Sequence, residues 1–316
     1  MPSPEARIGN SMNLGLVYDP IFLEHLTGSH PECPERLESI HNRLEAANLF
    51  EKTHRIHFNE ASRDRLRTVH SHALVKRVFE IAGEGGGRLE PDTPVSPHSD
   101  SVAAKAVGAG IAAVDAVVSG TVSRAMCLIR PPGHHATPRH SMGFCIFNNV
   151  AIAAHYLLEK GSVRKVAIVD FDVHHGNGTQ DIFYERGDVF FFSIHQHPHY
   201  PGTGAARETG AGEGSGTTLN APLHGGVSRE EWFKEFERGM ETISRYDPDF
   251  LLVSAGFDSH REDPLGDFPL TDEDYGAIAQ QLLQLAGDKG VVSFLEGGYN
   301  LDSLGRSVTA YLQAQR

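Results

Sequence analysis

The stretch KVAIVDFDVHHGNGTQ, residues 165–180, passes without a break from aliphatic residues to two carboxylates and two imidazoles. The aliphatic half reads as a β-strand covered on both faces, the kind found in parallel sheets. If the strand runs on through DFDVH, its period of two sets Asp170, Asp172 and His174 on one side, with Phe171 and Val173 on the other. Groups so close together in a buried place repel and desolvate one another unless a cation holds them. The stretch therefore predicts a metal site. The plainer alternative is a set of turn and capping residues, since Asp, Asn and His are common where strands end.

Other apolar runs end in polar or glycine-rich turns: LGLVYD (14–19), AMCLIRPPG (125–133), VFFFSIHQ (189–196), FLLVSAGFD (250–258) and VVSFLEGG (291–298). Helical patterns lie between them. SDSVAAKAVGAGIAAVDAVVSG (99–120) is rich in alanine with a Ser/Asp start and a glycine stop. NNVAIAAHYLLEKG (148–161) opens on Asn, and TDEDYGAIAQQLLQLAG (271–287) opens with a capping-box pattern. Strands alternating with helices predict an α/β fold, a single domain with a mostly parallel central sheet flanked by helices. No repeat or linker divides residues 1–316, and loose structure is expected for the first ten or so residues alone. The glycine-rich stretch 195–218 is too irregular for an element and too long for a plain connection, which points to a functional loop.

The net charge of −13, with no basic cluster, excludes a nucleic-acid partner and suits a cationic small molecule or lysine-like side chain. Cys33, Cys127 and Cys145 form no CxxC pair and cannot all be joined in disulfides, which favours a reducing compartment. No signal-type apolar region opens the chain and no 18-residue apolar run is found, so a cytoplasmic, membrane-free location is expected. A homo-oligomer is left open.

In parallel α/β sheets ligands bind outside the carboxyl ends of the strands. There the runs deliver His134 and His135, then Asp170, Asp172 and His174, then His195, Asp258 and Tyr299. Asp258, from a different strand, strengthens the metal reading. One imidazole and two carboxylates leave positions free for water and substrate, as in catalytic zinc sites, although these ligand types also suit iron, cobalt or manganese. In RPPGHHA two prolines and a glycine fix the turn carrying the tandem histidines. One imidazole would act as general base on water, the other as its electrostatic partner. Tyr299 follows two glycines, so its hydroxyl is able to approach a developing oxyanion; a merely buried Tyr is the default alternative.

RPPGHHA, DFDVHHGNGTQ, SIHQHPHYPGTG, AGFDSHREDPLG and LEGGYNL, in this order over residues 130–301, closely resemble the zinc-dependent histone deacetylase superfamily, which includes bacterial acetylpolyamine amidohydrolases. HPECPERL and PDTPVSP extend the resemblance over nearly the whole chain, and HHGNGTQ with LEGGYNL looks like the class II branch. The resemblance implies the arginase/deacetylase fold and one Zn2+ held by Asp172, His174 and Asp258. It makes His135 the general base and acid, His134 a second catalytic histidine hydrogen-bonded towards Asp170, Tyr299 the oxyanion donor and Asn177 the partner of His135. It also implies K+ at Asp170, Asp172, His174, Ser193 and the Ile194 carbonyl, and an acyl-lysine tunnel with Gly143, Phe144 and Tyr200 in its walls. Leu265 falls at the rim and Asp92 on the substrate backbone. The same fold hosts arginases, which use two manganese ions, but Gly176 and His260 stand where the second ion's carboxylates would be.

Amide hydrolysis is thus expected, on acyl-lysine or a small acylated amine. An acetylpolyamine amidohydrolase is the runner-up, ahead of an arginase-like ureohydrolase and a non-catalytic binding protein. Leu265 stands where a dedicated polyamine deacetylase would place Glu, whereas Glu262, Asp263 and Asp267 form an acidic cluster that would attract a polycation.

Overall fold

The computed structural model describes residues 14–316, so the expectation for the first ten residues lies outside it. The strands are β1 (Leu14–Val17), β2 (His54–Arg55), β3 (Gly87–Glu90), β4 (Thr93–Val95), β5 (Arg124–Cys127), β6 (Val166–Asp170), β7 (Val189–Gln196), β8 (Thr218–Leu223), β9 (Phe250–Ala255) and β10 (Gly290–Leu295). The helices are α1 (Glu35–Ala46), α2 (Arg63–Leu66), α3 (His72–Gly83), α4 (Ser99–Val118), α5 (Asn149–Glu159), α6 (Asn177–Phe183), α7 (Arg229–Tyr246), α8 (Asp272–Ala286) and α9 (Leu301–Ala314). All strands except the β3–β4 hairpin join one eight-stranded parallel sheet in the order β2-β1-β5-β10-β9-β6-β7-β8. The predicted α/β architecture is what the chain adopts.

Each run read as a strand forms one, and the three helical patterns become α4, α5 and α8. Asn148 caps α5 by accepting from the Ala151 N–H, and Thr271 and Asp274 close the capping box of α8. Strands β6 and β9 are buried along their whole length, which is why their sequences do not alternate.

Strand β6 stops at Asp170, so the side-to-side alternation expected through DFDVH is replaced by a bend. The Asp172 N–H turns onto Asp170 Oδ1 at 3.2 Å, and the His174 N–H onto Asp172 Oδ1 at 2.9 Å. Carboxylates that accept from the backbone two residues on end the ladder where the site begins. Helix α4 is long and apolar enough to cross a membrane, with mean hydropathy 1.6, in contrast to the expectation that no such run occurs. Its face of Val102, Ala106, Ala109, Ala113, Val114 and Val117 lies in the core against β1, β5 and β10, and that burial accounts for its composition.

The spatial order places β5, β10, β9 and β6 side by side at the centre. Everything that follows their carboxyl ends is therefore delivered to one edge of the sheet, although it comes from segments more than a hundred residues apart.

Candidate active site

Past β6 and β9, Asp172, His174 and Asp258 turn towards one another, all buried and with their donor atoms within 4.8 Å. His174 Nδ1 stands 3.1 Å from Asp172 Oδ1 and 3.2 Å from Asp258 Oδ2. The remaining oxygens are held by backbone: Asp258 Oδ1 accepts from the Val173 N–H at 2.8 Å, and Asp172 Oδ2 from the Gly297 N–H at 2.8 Å. One oxygen of each carboxylate and one imidazole nitrogen are thereby aimed at a common point, as a metal site requires. Burial works against a charge on His174, but the hydrogen bonds it donates to Asp172 and Asp258 outweigh that and hold its pKa at about 10. Burial and the neighbouring Asp172 push Asp258 up to about 7. A nitrogen with two converging carboxylate oxygens fits zinc.

Residues 130–136 leave the strand after β5, and their turn brings the rings of His134 and His135 to 4.0 Å, both buried. His134 Nδ1 donates to Asp170 Oδ2 at 3.0 Å, and His135 Nδ1 donates to Asn177 Oδ1 at 2.8 Å. Burial opposes charge on both rings, yet the Asp170 carboxylate raises His134 well above the ordinary imidazole value. His135 has no such carboxylate, and burial followed by the charge of His134 lowers it well below that value. Two adjacent histidines are thus driven apart, one towards the cation and one towards the neutral base. Because Asn177 Oδ1 accepts the hydrogen bond from Nδ1–H and so keeps the proton on that nitrogen, the Nε2 lone pair of His135 is free to accept another.

Asp92, His135, Gly143, Phe144, His174, His199, Tyr200, Leu265 and Tyr299 line one cavity of about 270 Å³ over these groups. Phe144 meets Tyr299 edge-on at 5.7 Å, and Tyr200 meets His135 edge-on at 5.2 Å. Gly143 and Phe144 both have positive φ, +56° and +69°. A Cβ on Gly143 would overlap the His135 ring, so the glycine allows the wall to lie against that imidazole. Burial keeps the Tyr299 hydroxyl protonated, with its pKa well above the ordinary value. Larger surface clefts, about 670 Å³ beside Arg186 and Asp247 and about 460 Å³ beside Tyr18 and His41, hold none of this chemistry.

Several supporting residues lie inside the quoted motifs, although the sequence alone assigned them no role. His199 stacks on His174 at 5.0 Å and hydrogen-bonds to the Leu265 carbonyl at 2.9 Å. Buried Glu32 grips Arg130 at 2.5 and 2.7 Å and Arg36 at 3.2 Å, and the two guanidiniums outweigh burial to hold its carboxyl at about 2. Arg36 in turn donates to the carbonyls of Gly298 and Glu296 and lies 5.0 Å from the Tyr299 ring, so HPECPERL braces the loop carrying Tyr299.

The acidic cluster of the rim is not the open patch that the sequence suggested. Asp263 is buried and accepts from the N–H groups of Tyr299 (2.6 Å), Asn300 (3.3 Å) and Leu265 (2.9 Å). Glu262 is exposed but pairs with Arg306 at 2.9 Å, and Asp267 is the exposed acid of the three that makes no such ion pair among the described residues. His260 turns away from the metal donors to Asp272 at 3.3 Å. Ser193 lies opposite Asp170 across β6 and β7, and its hydroxyl bonds to His195 at 2.9 Å.

Fold and site together describe a parallel α/β sheet with a candidate metal-ligand triad beside two histidines of opposite tuning. The histone deacetylase domain family matches residues 30–315, and the chain belongs to that family. It is 40% identical over 308 residues to an uncharacterized protein of Synechocystis sp., covering 95% of this chain and 98% of that one. Histone deacetylase 14, chloroplastic, of Arabidopsis thaliana is 40% identical over 317 residues, 92% of this chain and 74% of the relative. The crystal structure of the HDA15 HD domain superposes with a TM-score of 0.92 at 37% identity, covering 97% of this chain and 90% of that one.

Proposed function

We propose that this chain is a zinc-dependent deacylase that hydrolyses the amide of an acyl-lysine side chain or small acylated amine. The observation that carries this reading is the single cavity in which Phe144 and Tyr200 stand over His135, His174 and Tyr299. A slender alkyl chain suits such aromatic walls, and its amide would then end among the polar groups at the base. Asp172, His174 and Asp258 are the residues that would hold zinc. Zinc there would supply Lewis-acid polarisation of the acyl oxygen and acidify a water. His135 Nε2 accepts the proton of the attacking water and returns it to the leaving amine. Tyr299 donates its hydroxyl to the oxygen on which negative charge grows. Charged His134, fixed by Asp170, keeps His135 neutral at rest and adds positive potential beside that oxygen. Asp92, which lines the same cavity, would accept from the substrate backbone. K+ at Asp170, Asp172, His174, Ser193 and Ile194 stands as a further part of the proposal. The three free thiols support a reducing compartment such as the cytoplasm.

Acyl-lysine is preferred over acetylpolyamines because the rim offers little to a second ammonium. Leu265 is apolar, Asp263 is spent on backbone N–H groups, and Glu262 has Arg306. Exposed Asp267 would contribute under about 1 kcal/mol per pair. The test is kcat/KM of zinc-loaded protein on acetyl-lysine peptides and acetylspermidine-type substrates, at low and moderate salt because surface attraction fades with ionic strength. The peptide should be turned over at least as well, and Leu265→Glu should move the ratio towards the polyamine. A wild-type preference for the polyamine of more than about tenfold, roughly 1.4 kcal/mol of transition-state binding, contradicts the assignment.

A further inference from the structure

Glu296 follows the last residue of β10, three residues before Tyr299, and takes no part in the chemistry described so far. It is fully buried. Its Oε2 accepts from the backbone N–H groups of Gly133 at 2.7 Å and His134 at 3.2 Å, and its Oε1 from the Ser254 hydroxyl at 3.0 Å. Its own N–H bonds to the Ala255 carbonyl at 3.0 Å, and its carbonyl accepts from Arg36 at 2.5 Å. One residue thus joins the tandem-histidine turn, the end of β9 and the end of β10.

The turn needs such a fastening. Beyond β5 its backbone has left the sheet ladder, and two N–H groups converge in a buried place, where each needs an acceptor. The turn also packs tightly on its neighbours: a Cβ on Gly133 would stand 2.6 Å from the Asn149 nitrogen and 2.8 Å from the Phe147 carbonyl oxygen. Close contact with segment 147–149 and two hydrogen bonds to Glu296 together leave it little room to shift. The ring of His135, the next residue along, is carried by this same backbone.

We infer that Glu296 is a positioning residue for proton transfer, holding the tandem-histidine turn at the height that sets His135 against the metal donors. The inference rests on the reading of His135 as the proton carrier. It is the reach of the side chain, and not its charge, that does the positioning. Gln has the same length, presents a carbonyl oxygen to both N–H groups, and leaves the Ser254 hydroxyl free to accept from its amide. Asp keeps the charge but is one methylene short.

The experiment compares Glu296→Gln and Glu296→Asp with wild type in zinc content, kcat and KM on an acetyl-lysine peptide, and 15N-histidine NMR of the zinc protein. Misplacing a catalytic group by about 1 Å costs on the order of a hundredfold in rate. E296D is therefore expected to lose about 30- to 100-fold in kcat while KM and zinc content stay within about twofold, and E296Q to keep kcat within about fivefold. The ring signals of His134 and His135 should move in E296D and stay in E296Q. A kcat for E296D within about threefold of wild type, or an E296Q variant as impaired as E296D, overturns the inference. So do unmoved histidine signals in E296D, which are read without turnover. A wild type that leaves the amide intact instead sinks the deacylase assignment, and the NMR comparison then decides the positioning role on its own.

Discussion

Asp258→Ala is expected to abolish both stoichiometric zinc and measurable turnover while the chain stays folded. The first part follows from the donor set. Asp258 supplies one of three converging ligand atoms, and Asp172 and His174 alone cannot complete a site that catalytic zinc builds from three protein ligands. The second part follows from magnitudes. Alanine leaves the Val173 N–H without its 2.8 Å partner, a loss of about 1–3 kcal/mol for one unsatisfied buried group. It also removes a carboxylate that burial and Asp172 oppose when no cation is bound. Domains of ordinary stability, about 5–15 kcal/mol, tolerate a change of that size. Metal analysis beside circular dichroism checks both halves. A folded, zinc-free variant with wild-type activity would remove Asp258 from the site.

His135→Ala and Tyr299→Phe are each expected to lose on the order of a hundredfold or more in kcat with little change in KM. General acid–base catalysis by one side chain contributes roughly 10²–10⁴, and one oxyanion donor about 10²–10³. Both groups act on charge or protons that appear as the reaction proceeds, so their loss should fall on kcat and kcat/KM alike. The Phe variant is the cleaner of the two. It keeps the ring that packs edge-on to Phe144 and above Arg36, and removes the hydroxyl alone. Steady-state kinetics on an acetyl-lysine peptide decide it: unaltered kcat in Tyr299→Phe would take the hydroxyl out of the mechanism.

The groups of the candidate site were legible because chemistry forces their types and strand ends fix their places. Asp172, His174 and Asp258 stand where continuous apolar runs stop, and that pattern survives even though β6 ends earlier than expected. The strands that were missed are short or carry weak patterns, whereas helices α1, α3, α7 and α9 went unread although α7 alone runs 18 residues from a Ser228 cap. Strand β2 has two residues, β8 contains Pro222 and begins inside the glycine-rich stretch, and β3 is largely exposed. The missed side chains share another property. Glu296, Asp263 and Arg36 act on backbone N–H or carbonyl groups, and any residue type can offer those, so nothing in the sequence marks their partners. Asp263 shows the consequence most clearly: from the sequence it is one acid in a surface cluster, whereas the fold turns it inward onto the Tyr299 loop.

The measurement that bears most directly on the account is titration of metal-free protein with zinc while turnover of an acetyl-lysine peptide is followed. Activity should be absent at the start and rise in proportion to bound zinc. It should level off at one equivalent per chain, as a single site made by Asp172, His174 and Asp258 requires. Full turnover before any zinc is added, or none after the site has filled, would contradict it.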